Sequence, residues 1–420
     1  MTQHLSIFLI QLIVIVIASR IFGYLFKLMK QPTVMGEIVA GIVLGPSMLG
    51  SMFPAYLNFV FPPNSLGNMR ILSQIGLILF MFVIGMELDL SIIRQKARTA
   101  ITISNASIIF PFLLGIALSY FLYEDYGLPH TPYYAFALFM GVAMSITAFP
   151  VLARITKERG LSGNRLGSIA LASAAINDVT GWCLLAFVVA IVQAGSISSS
   201  FIVLLETLGY MLAMVFIVRP VLKKLVNHQQ NQIIKQSTTA IIFITLLISA
   251  LATELIGIHA LFGAFIAGLV MPAEWSIRKV IIDKIEDVAL ILLLPLFFVI
   301  TGLRTQIEAL NTPMLWGICL LITIVAIIGK LGGGALAAKF SGESNYNSLV
   351  IGVLMNTRGL MELIILNIGY ELKILSNEVF TMMVIMALVT TFMTGPLLDL
   401  VERIYSKKAI PAGFGTDNRI

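Results

Sequence analysis

Apolar runs, each near the length a helix needs to cross about 30 Å of hydrocarbon, recur along the whole chain between short polar segments. They predict thirteen spans, at about 6–29, 34–50, 70–89, 100–122, 133–154, 165–193, 201–224, 237–255, 258–272, 286–303, 314–338, 346–369 and 378–403. The second and ninth are short and rich in glycine. The first run has neither a basic flank nor a small-residue cleavage site, so it reads as a retained span rather than a signal peptide. No soluble domain fits between the runs. Residues 1–404 read as one all-α, polytopic membrane domain, followed by a short tail at 405–420. With so few residues after the last span, a regulatory domain is expected to be a separate chain.

The pattern repeats itself. Gly36–Pro46 (GEIVAGIVLGP) resembles Leu261–Pro272 (LFGAFIAGLVMP), FMFVIGMELDL resembles LFFVITGLRTQI, and MSITAFPVLARI resembles MNTRGLMELIIL. The pairs keep their order and lie seven spans apart. An odd offset turns one copy upside down relative to the other, the inverted-repeat architecture of secondary transporters. The copies are expected at about 6–193 and 237–403, joined by a linker span at about 201–224.

Composition agrees with the pattern. The 420 residues are 58% hydrophobic and 11% charged, against about 25% charged in soluble domains. Cys183 and Cys319 lie inside apolar runs, which argues against a disulfide framework or a metal knuckle. The net charge of +6 suggests nucleic acid only until the cations are placed. Twenty-one Lys and Arg fall on alternate loops that include the C-terminus, and three, Arg70, Arg304 and Lys373, fall on the opposite loops. By the positive-inside rule the N-terminus is outside and the tail cytoplasmic. The expected surroundings are membrane lipid at the plasma or inner membrane, with no nucleic-acid partner.

Few charges remain at membrane depth, and there an ionisable side chain costs at least about 2.5–3.5 kcal/mol on insertion scales. Asp178 lies near the middle of span six, beside Asn177 and after the small residues Ala172–Ala175. It reads either as a carboxylate that alternates between a proton and a cation or as a protonated interhelical hydrogen-bonding group. Asn177 offers a neutral amide oxygen. Lys330 in span eleven lies nine residues from Lys339 at the inner end, roughly 13 Å along a helix. It reads as a charge facing the carboxylate, or as a lysine held by unwound backbone carbonyls, and the Gly332–Gly334 run suggests close packing beside it. Spans five and twelve are interrupted at matching places, by Ser145, Thr147 and Pro150 in one and Asn356, Thr357 and Gly359 in the other. Matched broken helices in an inverted repeat point to an ion site, with ordinary kinking as the alternative. Arg358 and Glu362, four residues apart, share a helix face and pair, in a structural, gating or direct role. Glu37, at the start of span two, reads as a solvated interface residue, with a pathway residue as the alternative. Glu206 and Glu254 sit near span ends, and His259 reads as a helix cap, with a pH sensor as the alternative.

These segments resemble the monovalent cation:proton antiporter superfamily, specifically its Kef/CHX-type branch. The resemblance covers the whole membrane chain and rests on GEIVAGIVLGPSMLG, FMFVIGMELDL, SITAFPVLARI, AAINDVTGWCLLA, IHALFGAFIAGLVMP, LPLFFVITGLR, GKLGGGALAAKF and NTRGLMELIILNIG. It implies a thirteen-span Na+/H+ antiporter fold with a dimerisation domain, hence a homodimer, and a mobile core holding two crossed, unwound helices. Thr147 and Thr357 would lie near the crossing. The family's essential carboxylate matches Asp178, and its core lysine matches Lys330. Electrogenic relatives carry a second Asp just before the essential one, where this chain has Asn177. The lysine therefore lacks its usual partner, and one-for-one electroneutral exchange is expected.

The function expected is alternating-access exchange of K+ or Na+ for H+, with Asp178, Asn177 and Thr147 holding the ion or proton. Lys330, Thr357, Asn356, Arg358 and Glu362 would support the broken helices. No cofactor is expected beyond the transported ions, and no enzymatic motif such as HExxH or GxSxG is evident. The alternatives are a gated K+ channel or uniporter on the same scaffold and a membrane sensor that does not transport.

Overall fold

The structure is a computed structural model that describes residues 2–29, 31–62, 65–87, 97–161, 164–194, 197–227, 236–272 and 275–408. Lys30, Arg94, Lys96, Lys235 and Arg419, which enter the orientation expectation, lie outside the described residues. Among those described, regular structure is helical throughout. The chain opens with α1 (Thr2–Leu28), α2 (Thr33–Leu44), the short α3 (Pro54–Val60) and α4 (Leu66–Glu87). Next come α5 (Ala97–Tyr126), the pair α6 (Tyr133–Ser145) and α7 (Phe149–Glu158), then α8 (Arg165–Ala194), α9 (Ile197–Ala213) and α10 (Arg219–Asn227). The second half brings α11 (Gln236–Ile256), α12 (Ala260–Leu269), and α13 (Trp275–Val288), which runs through a π turn into α14 (Leu294–Arg304). It continues with α15 (Pro313–Ile327), which passes through a π turn at Ile328–Gly332 into α16 (Gly333–Phe340). The pair α17 (Asn345–Met355) and α18 (Leu360–Glu371) follows, then α19 (Asn377–Lys408).

Ten stretches of the described residues are long and apolar enough to cross a membrane as helices. The difference from the expected thirteen lies in three places: the broken pairs α6/α7 and α17/α18, and α12, which has 10 residues. Ten helical residues span about 15 Å, half the hydrocarbon. Such elements are tolerated at membrane depth when other helices surround them, and eight of the ten residues of α12 are buried.

The helices pack as two groups, each drawing on both halves of the chain. In the first, α1 packs on α2, α2 on α14, α4 on α12, and α12 on α11. In the second, α5 packs on α6, α8 and α16, α16 on α17, and α15 on α19. We call these the scaffold and the core; α9 touches both α8 and α11. The repeat is visible in the scaffold's crossings. A Cβ on Gly85 of α4 would sit 2.2 Å from the Phe265 carbonyl oxygen of α12, and one on Gly41 of α2 would sit 2.6 Å from the Val299 carbonyl oxygen of α14. Gly85 and Gly302 occupy matching places in the two copies, as do Gly41 and Gly268, so one backbone-on-backbone contact is built twice. Only glycine permits such an approach without displacing a helix.

His259 behaves as the sequence suggested. Its Nδ1 accepts the Leu261 N–H at 3.4 Å at the start of α12, while Glu254 Oε2 accepts the Ala260 N–H at 2.7 Å. Its φ of 76° is unusual for a residue with a side chain. His259→Gly removes a long hydrogen bond but relieves backbone strain worth roughly 1–3 kcal/mol. The variant is expected to melt no lower than wild type; a clear fall in melting temperature would show that the imidazole does more than cap.

Candidate functional site

The site begins with two helix breaks. α6 stops at Ser145, Ile146 is extended (φ −86°, ψ 139°), and α7 starts at Phe149. Pro150 sits in the first turn of α7, where its missing N–H deprives the helix of nothing. α17 stops at Met355 and α18 starts at Leu360. The two unwound stretches cross and hold one another: the Ala148 N–H donates to the Thr357 carbonyl (3.2 Å), and Thr147 Oγ1 donates to the Met355 carbonyl (3.1 Å). Thr147 and Thr357 thus meet at the crossing, as the matched interruptions suggested.

Breaking a helix inside the bilayer leaves partial negative charge at one new end and partial positive charge at the other. At the C-terminal end of α6, Arg358 donates to the Ala143 (3.1 Å) and Met144 (2.9 Å) carbonyls, and Lys330 Nζ donates to that of Ser145. Two cations therefore face the negative end of one half-helix. At the positive ends stand carboxylates. Glu362 lies in the first turn of α18 and pairs with Arg358 at 2.8 Å, both side chains fully enclosed. Asp178 is fully buried beside the start of α7, where the Phe149 amide dipole acts on it.

Asp178 differs from the other three charges. Neither of its oxygens meets hydrogen-bond geometry with a donor of the protein, and the Phe149 N–H is the backbone donor that acts on it. Asn177 Nδ2, both polar atoms of the Asn356 amide, Thr357 Oγ1 and Glu362 Oε2 are unpaired as well. Buried polar atoms are nearly always paired, so this concentration at the crossing marks it as the candidate polar site. Among the described residues no three His, Cys, Asp or Glu side chains gather as a metal-ion site. One carboxylate among neutral oxygens suits a monovalent ion or a proton.

Three of the expected site residues have partners within the protein. Asn177 Oδ1 accepts the Thr147 N–H at 2.9 Å, which uses one of the two lone pairs of that oxygen. The Thr147 amide is freed by the helix break and needs an acceptor. The Thr147 hydroxyl receives Lys330 Nζ at 2.6 Å while donating to Met355, which leaves it one lone pair. Lys330 makes no ion pair with Asp178. Its ammonium spends its donors on Ser145 O, Thr147 Oγ1 and Ser107 Oγ (3.3 Å), so the backbone-bound alternative describes the contact geometry. Lys330 sits in the π turn Ile328–Gly332, a local widening often found at functional positions. The neighbouring glycines share the packing unequally: Gly329 lies against Pro111 and Gly333 against Phe110, whereas Gly332 has open space.

Other participants carried little sequence signal. Ser107, which receives Lys330, is one of several hydroxyls in span four, with Thr102 and Ser104 close by. Thr391 of α19 receives the Arg358 N–H (3.3 Å) and lies 2.8 Å from the Arg358 carbonyl, steadying the second break. Glu37, read as solvated, is 9% exposed, because α1 closes over α2 at Gly36. Cys183 and Cys319 are free thiols.

Comparison with known proteins bears on these features together. A family model described as the transmembrane sodium/hydrogen exchanger matches residues 13–401. The Na(+)/H(+) antiporter NhaS4 of Synechocystis is 43% identical over 410 residues, covering 97% of this chain and 99% of that one. Cation/H(+) antiporter 17 of Arabidopsis thaliana is 39% identical over 95% of this chain, and K(+)/H(+) antiporter 1 of Saccharomyces cerevisiae is 35% identical over 95%. The chain spans about half the length of the plant and yeast relatives. Among solved structures, the sodium proton antiporter MjNhaP1 from Methanocaldococcus jannaschii superposes with a TM-score of 0.70 at 15% identity, covering 95% of this chain and 99% of that one. At that identity the likeness concerns the fold.

Proposed function

The chain belongs to the transmembrane sodium/hydrogen exchanger family, and from that premise we propose that it exchanges a monovalent cation, K+ or Na+, for H+ by alternating access. One observation carries the reading: Asp178 is a wholly buried carboxylate with both oxygens unpaired at the junction of two broken helices. Left bare it is poorly solvated. A proton or a dehydrated cation satisfies it, and the two compete for the same oxygens. Competition couples the fluxes, because a loaded site crosses more readily than an empty charged one. Asn177, Thr147 and Lys330 act as positioning residues that hold the unwound backbone in place. Asn356 and Thr357 bring further unpartnered oxygens to the crossing.

Charge counting supports the stoichiometry. Lys330 and Arg358 balance ionised Asp178 and Glu362, and loading Asp178 with either H+ or a monovalent cation changes the core by the same single charge. With Asn177 in place of a second acid and Lys330 committed to neutral acceptors, exchange is one-for-one and electroneutral. The protein is multi-pass; we assign it to the plasma or inner membrane as a homodimer, N-terminus outside and tail cytoplasmic.

The test is proton flux in proteoliposomes, followed with a pH-sensitive dye as K+, Na+ or Li+ is added at clamped membrane potential. Cation-driven proton movement that is indifferent to potential is the expected outcome. Cation flux without proton movement would establish the channel or uniporter instead.

A further inference from the structure

The seam between core and scaffold is closed differently at its two ends. The end that carries His259, Arg304 and Lys373 opens into a pocket of about 700 Å³, with Arg70, Arg304 and Lys373 on its walls. Those are the three cations that charge placement separated from all other loop cations. Arg304, the last residue of scaffold helix α14, reaches across to core helix α18. It donates to Asn367 Oδ1 (2.7 Å) and Glu371 Oε1 (2.9 Å), and its guanidinium lies over the Tyr370 ring at 5.4 Å. Asn367 is itself tied back to the scaffold, donating to Thr301 Oγ1 at 2.8 Å. Asn367 and Glu371 are four residues apart, on one helix face, so a single guanidinium clasps a whole turn of α18.

Below the clasp lies a space of about 30 Å³, bounded by Ser73, Leu77, Phe297, Ile300, Ile364 and Asn367. That is room for about one water. Below it again, core Trp182 stacks on scaffold Phe265, with ring centroids 6.4 Å apart and planes at 25°. Trp182 is four residues beyond Asp178 on α8, hence on the same face and about 6 Å nearer this end. The end of α8 is located independently: Gln193 lies against Gly257, next to His259. Trp182 is 2% exposed, and its indole N–H has no partner. The opposite seam is made otherwise. Pro32, Met35 and Ile38 of the scaffold face Val151, Leu363 and Leu388 of the core, and Gln31 donates a 3.3 Å hydrogen bond to the Phe392 carbonyl.

We propose that Arg304 with Asn367 and Glu371, and Trp182 with Phe265, form two gates in series between Asp178 and the Arg304 end, and that the Arg304 clasp biases the protein toward the state closed there. The proposal rests on the alternating-access reading and specifies which side chains set its balance. Among the described residues, opening the Arg304 end breaks charge-assisted hydrogen bonds and a ring stack; the other end parts mainly apolar surfaces, which Arg358 and Thr391 also line, and a neutral bond. Hydrogen bonds with an ionised member are roughly twice as strong as neutral ones, so the two openings differ in ease. Trp182 moves with the core, so its ring parts from Phe265 when this end opens and returns to it when this end closes. In an open state its unpaired N–H gains water.

The experiment uses the full chain in lipid nanodiscs, with Cys183→Ser and Cys319→Ala as background and Ser73→Cys as reporter between the gates. A charged thiol reagent should label the reporter slowly. Arg304→Gln, and independently the gentler Glu371→Gln, should each raise the rate about tenfold. In proteoliposomes Trp182→Ala should raise the cation leak in the absence of counter-ion about tenfold, and Trp182→Phe should restore the seal. Unchanged labelling in both clasp variants, with melting temperatures like wild type, would overturn the clasp, and an unaltered leak in Trp182→Ala would overturn the inner gate. Labelling needs no transport. Faster labelling in a protein that exchanges nothing would therefore keep the gate and remove the antiport reading, and the converse would do the opposite.

Discussion

Replacing Asp178 by Asn eliminates cation-driven proton movement, reducing it to the background of protein-free vesicles, while the protein still folds. The side chain keeps its shape and loses its charge, so neither proton nor cation has a site to compete for. Stability moves in the other direction or not at all. A buried carboxylate without hydrogen bonds is expensive to enclose, and both Asp178 oxygens are of this kind. Removing that group takes away a cost and no bond, so the melting temperature is expected to equal or exceed that of wild type. Measuring flux and melting on the same preparation makes the result decisive. Normal pH-linked cation flux in the variant would remove Asp178 from the mechanism.

Arg358→Met has the opposite signature, a large loss of stability. The guanidinium holds the Ala143 and Met144 carbonyls and Glu362 Oε1 in the fully enclosed core. Without it, two carbonyls at the end of α6 lose their donor and Glu362 is left as an uncompensated buried charge. Breaking a buried pair from one side costs about 3–5 kcal/mol, and the fall should be plain in thermal denaturation of the purified protein. Arg358→Met with Glu362→Leu removes the stranded carboxylate as well and should recover part of the loss, since residues in contact do not contribute additively. A single variant that melts like wild type would mean that water or another donor already serves these groups.

The contrast between these two positions explains how far the site was legible from the sequence. A charged residue in an apolar run is conspicuous because charges are so few, and Asp178, Lys330, Arg358 and Glu362 all stood out for that reason. Their individual duties did not. Lys330 and Asp178 looked like partners because opposite charges at similar depth attract. In the fold, the helix break at Ile146 leaves the Ser145 carbonyl facing Lys330, and that carbonyl takes its donors together with the Thr147 and Ser107 hydroxyls. Asn177 looked like an ion ligand because it neighbours Asp178, yet successive residues on a helix point in directions about 100° apart. Its oxygen turns to the freed Thr147 amide. Arg358 was paired correctly with Glu362, since that pair is a local i, i+4 relation, but its reach to α6 spans more than two hundred residues.

Three ordered sequence matches seven spans apart pointed to an inverted repeat; hydrophobic periodicity and charge placement determined, without any coordinates, that the chain is a helical membrane protein. Both are local signals, written in runs of twenty residues and in the loops beside them. The same signals located the interrupted spans, because Pro, Gly, Asn and Thr stand out in hydrocarbon-length runs. Only the tertiary structure decided which broken helix ends meet, which cations answer which carbonyls, and which carboxylate is left unpaired. It also decided that α12 need be only ten residues long and that Trp182 meets Phe265. Those outcomes depend on contacts between segments far apart in sequence, where many pairings fit the same pattern of apolar faces. The geometry of the crossing selects one of them, and leaves both oxygens of Asp178 unpaired while Arg358 and Glu362 pair.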